Sequence, residues 1–264
     1  MTTRIATIFF ILLLVFSFFP GCDAPRDNPN DPGTDRNIIY PDPDNPTTIN
    51  SFRVRTKHIP EDTPFSQQDK ILSIAEARLY DPDDITQVHL EVNDTLRFDM
   101  DYNSGGEFYS FSFDPQDYGY SVFDFIGGSF YTYIFDGKGY VTRSEKEMIV
   151  RVLEDSPEIV YPKKAAGSPG YTDSTSRTPT LEWMEYSSRF DITYSVVVRR
   201  FPSEVVFERS NIQRTSAQGD TTDSVPVSQP LSLGGEYYWT VSVIDDKGNE
   251  TVSEHAFFIV RTTE

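Results

Sequence analysis

The sequence holds few residues suited to chemistry. Its 264 residues include one cysteine, Cys22, and three histidines, His58, His89 and His255. His58 stands two residues before Pro60, His89 lies on the polar side of an alternating run, and His255 opens the last apolar run. None has a partner at a ligand or catalytic spacing. H-E-x-x-H, G-x-S-x-G, a phosphate-cradling glycine loop and a cysteine pair are all absent. Zinc-hydrolase, serine-hydrolase, nucleotide and redox chemistry therefore have no starting point, and neither a catalytic residue nor a cofactor is assigned. Carboxylates are plentiful, so pairs of the glycosidase kind arise by chance. Calcium is the better-motivated ligand, because Asp81, Asp83 and Asp84 share one turn and Asp136, or Asp245 with Asp246, stand in others. Their spacing matches neither an EF-hand nor a cadherin linker. Acidic turns are ordinary in an acidic β protein, and no metal site is assigned.

The elements that carry these residues begin with an export signal. Arg4 precedes an uncharged, mostly apolar run from Ile5 to Phe19, which breaks at Pro20-Gly21-Cys22. About 15 apolar residues suit a cleaved signal better than a membrane span, which needs about 20. Gly21-Cys22 resembles the end of a bacterial lipobox, with Phe19 and Pro20 departing from its usual aliphatic and small residues. The resemblance implies a signal peptide over 1–21 and lipid attachment at Cys22. It implies a cell-envelope location on a bacterial membrane; the acidic residues after Cys22 resemble both retention and surface-export signals, so the leaflet stays open, with the outer membrane or cell surface favoured over the inner membrane. Acyl chains buried at about 0.8 kcal/mol per methylene make such an anchor durable. With one cysteine no internal disulfide forms, so each domain must be held by its core. The net charge is −18, and −19 without Arg4, the only charge in 1–21. That excludes nucleic acid and anionic head groups as partners.

Residues 22–50, rich in Pro, Asp and Asn, read as a semi-stiff tether. Beyond it an internal repeat appears. Asp136-Gly137-Lys138-Gly139-Tyr140-Val141-Thr142-Arg143-Ser144-Glu145 aligns with Asp245-Asp246-Lys247-Gly248-Asn249-Glu250-Thr251-Val252-Ser253-Glu254 at an offset of 109, with six of ten positions identical. Both copies predict a hairpin turned by Asp and Gly, and the offset matches one β-sandwich domain. Ala75, Ala77 and Leu79, then Val88, Leu90 and Val92, then Tyr109, Phe111 and Phe113 alternate with polar or outward residues as half-buried strands do. Phe130 to Phe135 is apolar on both faces and leaves its inward side open.

Leu231-Ser232-Leu233-Gly234-Gly235-Glu236-Tyr237-Tyr238-Trp239-Thr240-Val241 resembles the fibronectin type III stretch that ends in the tyrosine corner. Tyr237 takes the corner role, and Trp239, Val241 and Val243 take core positions. Trp183 in Pro179–Trp183 matches the core Trp of the family's second strand, and Tyr194, Val196 and Val198 match the third. Leu233 and Gly235 stand where the family often has Pro and Thr. Residues 51–155 resemble a bacterial immunoglobulin-like domain more loosely. The expected fold is all-β, with an immunoglobulin-like sandwich over 51–155 and a fibronectin type III-like one over 156–264. The expected function is non-catalytic: a lipid-anchored protein presenting sandwich modules at the cell envelope for protein interaction, adhesion or structural spacing, its partner an envelope or extracellular protein or glycan, with carbohydrate binding as the alternative. Aromatic residues are 14% of the chain, and Tyr80, Tyr131 or Tyr133, Tyr186 and Tyr238 cannot all be interior.

Overall fold

The computed structural model describes residues 47–60, 70–80, 84–163, 173–214 and 221–261. The signal, Cys22, most of the tether, Asp81 and Asp83 lie outside them. In the first module the alternating runs become β1 (Thr48–Ile59), β2 (Lys70–Tyr80), β3 (Ile85–Val92), β4 (Leu96–Asp99), β5 (Asp101–Asn103), β6 (Phe108–Phe113), β7 (Phe130–Asp136) and β8 (Val141–Arg143). β1 starts three residues before the expected boundary, and Thr48 to Asn50 belong to it rather than to the tether. The strands form two layers, β1-β2-β6-β5 and β4-β3-β7-β8. Phe52, Val54, Ala75, Ala77, Val88, Leu90 and Phe113 face one another between them. Phe98 stacks on Phe111 at 4.7 Å between centroids, which suits offset rings. In β7 the inward residues are Phe130, Thr132 and Ile134, paired with Val92, Leu90 and Val88. Tyr131, Tyr133 and Phe135 therefore face outward.

The second module contains β9 (Ile159–Tyr161), β10 (Asp173–Thr175), β11 (Thr180–Met184), β12 (Ile192–Arg200), β13 (Glu204–Gln213), β14 (Thr222–Pro226), β15 (Glu236–Asp245), β16 (Glu250–Val252) and β17 (Ala256–Val260). One layer is β14-β11-β9. The other runs from β13 through β12 and β15 to β16 and β17, with β10 added in parallel on β17. Trp183 and Trp239 have no exposed surface. Each removes roughly 200 Å² from water, on the order of 5 kcal/mol. The Trp239 indole donates to the Pro162 carbonyl at 2.8 Å, so its one polar atom is satisfied. The Tyr237 hydroxyl accepts the Ser232 N–H at 2.9 Å. Gly235 leaves room for that ring: a Cβ there would lie 2.7 Å from the Tyr237 hydroxyl and ring edge.

The repeated decapeptides build the same turn bond for bond. Asp136 Oδ1 accepts the N–H of Lys138 and Tyr140, each at 2.9 Å, as Asp245 Oδ1 accepts those of Lys247 and Asn249 at 2.8 and 2.9 Å. Gly139 and Gly248 take φ of 87° and 84°, a region other residues enter at a cost. The Ser144 hydroxyl accepts the Thr132 N–H and donates to the Glu145 carbonyl. Ser253 does the same between Val241 and Glu254. Since Ser144 and Ser253 each satisfy a buried backbone N–H, Ser144→Ala and Ser253→Ala should each lower stability by about 1–3 kcal/mol in urea unfolding. A neutral effect at both sites would show that water replaces the hydroxyl.

Candidate functional site

The outward face of β4-β3-β7-β8 gathers the most polar and aromatic side chains. Strand pairing sets Glu91 beside Arg97 and Tyr131, and His89 beside Asp99 and Tyr133. The alternation of β3 predicts a solvated Glu91, yet it is 2% exposed on a face that looks toward solvent. Arg97 is the cover: its guanidinium meets Glu91 Oε2 at 2.9 Å and lies 5.7 Å from the centre of the Tyr133 ring. The Tyr133 hydroxyl donates to Glu91 Oε1 at 3.1 Å. Burial holds that hydroxyl above its ordinary range, with Arg143 opposing and the Glu91 carboxylate adding to the rise. Arg143 lies 4.7 Å over Tyr131, worth about 0.5–1 kcal/mol at an exposed site. His89 Nδ1 approaches Asp99 Oδ1 at 2.6 Å, and its ring meets Phe135 edge-on at 5.1 Å. Burial lowers the His89 pKa, and the Asp99 carboxylate opposes that shift. The face is a row of aromatic rings capped by guanidinium groups around one enclosed carboxylate.

A second arrangement couples the opposite layer, β1-β2-β6-β5, to the other module. β1 runs past its own sandwich and pairs in parallel with β16, Lys57 opposite Glu250 and His58 opposite Thr251. One sheet thereby crosses both modules. Lys57 meets Glu250 at 2.9 Å, and Asn249 Oδ1 accepts the Thr56 N–H and hydroxyl at 2.9 and 3.1 Å. Thr251 donates to the Asp155 carbonyl, so its hydroxyl accepts from His58 Nδ1 at 3.0 Å and places the proton on that nitrogen. Arg151 of the connecting segment reaches Asp245 Oδ2 at 2.6 Å and also bonds Asp246, with Phe190 3.9 Å beneath its guanidinium.

These bonds occupy the carboxylates of two of the turns weighed for calcium, while Asp81 and Asp83 of the third lie outside the described residues. The Asp245 carboxylate is filled by Lys247 and Asn249 N–H groups, the Asn249 amide and Arg151, and Asp246 pairs with Arg151. Asp136 serves its own turn, and Asp84 lends its carbonyl to the Gly137 N–H. Among the described residues no group of three or more His, Cys, Asp or Glu is placed to hold a metal ion.

The aromatic candidates divide. Tyr80 is 68% exposed, whereas Tyr238 is 2% exposed and its hydroxyl donates to the Pro202 carbonyl. Burial pushes the Tyr186 hydroxyl up to about 12, with Asp155 and Glu154 adding. His255 lines a polar cleft of about 380 Å³ with Glu158, Lys163 and Phe257, and burial lowers its pKa. Glu91, Arg97, Arg143 and Arg151 escaped the sequence reading, because single charges on alternating strands look like ordinary solvated positions. The one available signal for Arg151 was that Asp246 breaks the repeat with an added charge.

No family model matches the sequence, and no curated protein matches it. Among solved structures the chain is similar to dimeric latent PorU from Porphyromonas gingivalis, at 12% identity and TM-score 0.32 over 84% of this chain and 21% of that one. It is similar to CbhA fibronectin(III)-like modules of Clostridium thermocellum, at 12% identity and TM-score 0.33 over 81% and 94%. It is also similar to the FN1-FN3 domains of chicken CNTN1, at 15% identity and TM-score 0.25 over 83% and 66%. The chain spans about a fifth of the PorU chain's length. The fold itself rests on this chain's own strand order.

Arg151→Ala should leave the Asp245 carboxylate buried without its cation and cost about 2–3 kcal/mol, with the two modules reorienting in small-angle scattering. The same junction is acid-sensitive. Burial alone would raise the Asp245 pKa, but its bonds from Asn249, Arg151 and Lys247 outweigh that and hold it below the ordinary carboxylate value. Its contribution is therefore full above about pH 4 and is lost as pH falls through the lowered value. Asp245→Asn should flatten that acid limb, and an unchanged pH profile would discount Asp245.

Proposed function

We propose that this protein is a non-catalytic lipoprotein, anchored through Cys22 to a bacterial envelope membrane, that holds two sandwich modules in fixed register for binding another protein. The carrying observation is the junction: a shared sheet and the Arg151 bonds make the two modules one rigid presenting unit. Rigid coupling spares a binding surface the cost of ordering two modules against each other when a partner docks in one orientation. The anchor has its support in the lipobox-like Gly21-Cys22 and the apolar run before it.

Carbohydrate binding is a second reading, favoured by the Tyr131, Tyr133 and Phe135 row with Arg97 and Arg143 beside it. Against it, Tyr133 is 4% exposed and Arg143 covers the Tyr131 ring, so neither of those two rings is open for a sugar to stack on.

Radiolabelled palmitate should enter the native chain and not a Cys22→Ala variant; equal labelling would remove the anchor. A photo-cross-linker in place of Tyr131 should trap a discrete protein adduct in intact cells, and Arg97→Ala with Arg143→Ala should abolish it. Retardation in gels containing envelope polysaccharide, lost in Tyr131→Ala, would instead favour the sugar.

A further inference from the structure

We propose that the outer edge of β8 is a strand-accepting site for an extended segment of a partner protein, which adds in parallel and sets a carboxylate beside Arg143. The inference rests on the reading of the modules as interaction units and names how one of them binds. Its ground is the internal repeat. β7 pairs with β8, Tyr133 opposite Arg143 and Ile134 opposite Thr142, as β15 pairs with β16, Ser242 opposite Val252 and Val243 opposite Thr251, 109 residues on. In the second copy the outer edge of β16 is filled by β1. In the first copy β8 ends its sheet, and no described strand lies beyond it.

The bond pattern shows what that edge offers. Asp136 donates to the Tyr140 carbonyl and Ser144 to the Thr132 carbonyl, so the antiparallel alternation turns Thr142 toward β7. The N–H and C=O of Val141 and Arg143 therefore point outward. Thr251, beneath the docked strand, has no exposed surface, whereas Thr142 at the same place remains half-buried.

The four positions that differ between the copies name the partner. Asp246, Asn249 and Glu250 are the residues that grip Arg151, Thr56 and Lys57, and the first copy has Gly137, Tyr140 and Val141 in their places. It therefore lacks the Glu that receives Lys57 and carries Arg143 where the second copy has Val252. A second copy of β1, with Arg55 and Lys57, is mismatched to this edge. An acidic strand suits it, since backbone bonds supply affinity and the flanking charge supplies choice.

The test uses the mature chain and a synthetic peptide of the β1 sequence from Phe52 to Pro60 with Arg55→Thr, Lys57→Glu and Ile59→Glu, the last at the position that the β1–β16 register sets opposite Arg143. Hydrogen exchange over Val141 to Ser144 should slow about tenfold at saturating peptide, with Glu250 to Val252 unchanged. Arg143→Glu should weaken binding about tenfold, and Arg143→Pro, which removes one outward N–H, should abolish the protection. Absence of slowing at millimolar peptide, or slowing that survives Arg143→Pro, would overturn the proposal. So would protection already present in the free chain and lost on deletion of residues 23–46. Each of those results leaves the anchor and the Tyr131 cross-link standing, since neither depends on backbone pairing at the edge of β8.

Discussion

The Asp245 carboxylate has no exposed side-chain surface, and a charge removed from water must be satisfied by protein donors or cost several kcal/mol. Its solution organises the molecule. One oxygen gathers the N–H groups of its turn, and the other holds the Asn249 amide and the Arg151 guanidinium. Asn249, so fixed, presents its own carbonyl to Thr56, which draws β1 against β16. A local turn device thus becomes the joint between two domains, and their relative orientation follows from where one carboxylate finds its donors.

Much of this fold was legible. Alternation marked the strands of the first module, because a sheet with one buried face forces period two on its residues. The repeat was legible for the same kind of reason: Asp, Gly and Ser at these spacings are the cheapest way to close a hairpin and satisfy its backbone. The junction was not. Asp245 and Thr251 stand in both copies, but Asp246, Asn249 and Glu250, which complete the junction, are positions at which the second copy departs from the first, and a departure in one sequence looks like noise until the neighbouring module stands beside it. Glu91 was missed for a different reason. Its burial comes from Arg97, one strand over, and a cross-strand cover leaves no trace in the periodicity of either strand.

The sheet edges add a constraint of their own. An unpaired edge invites association unless it is broken, charged or covered. β13 is ten residues long, and it carries Glu204, Glu208 and Arg209 with register shifts in its pairing to β12. β5 is three residues long and begins with Asp101. In the second module β10 covers β17 and β1 covers β16, so both strands paired to that side of β15 are sealed at their outer edges. β8 has none of these protections beyond Arg143 and its length. Shortness is no bar to pairing, because β16 is also three residues and is paired. What separates the two edges is the side chains of the turn above them. Asn249 and Glu250 hold a strand of this chain against β16, and Tyr140 and Val141 give β8 no such hold, which leaves that edge without a second strand among the described residues.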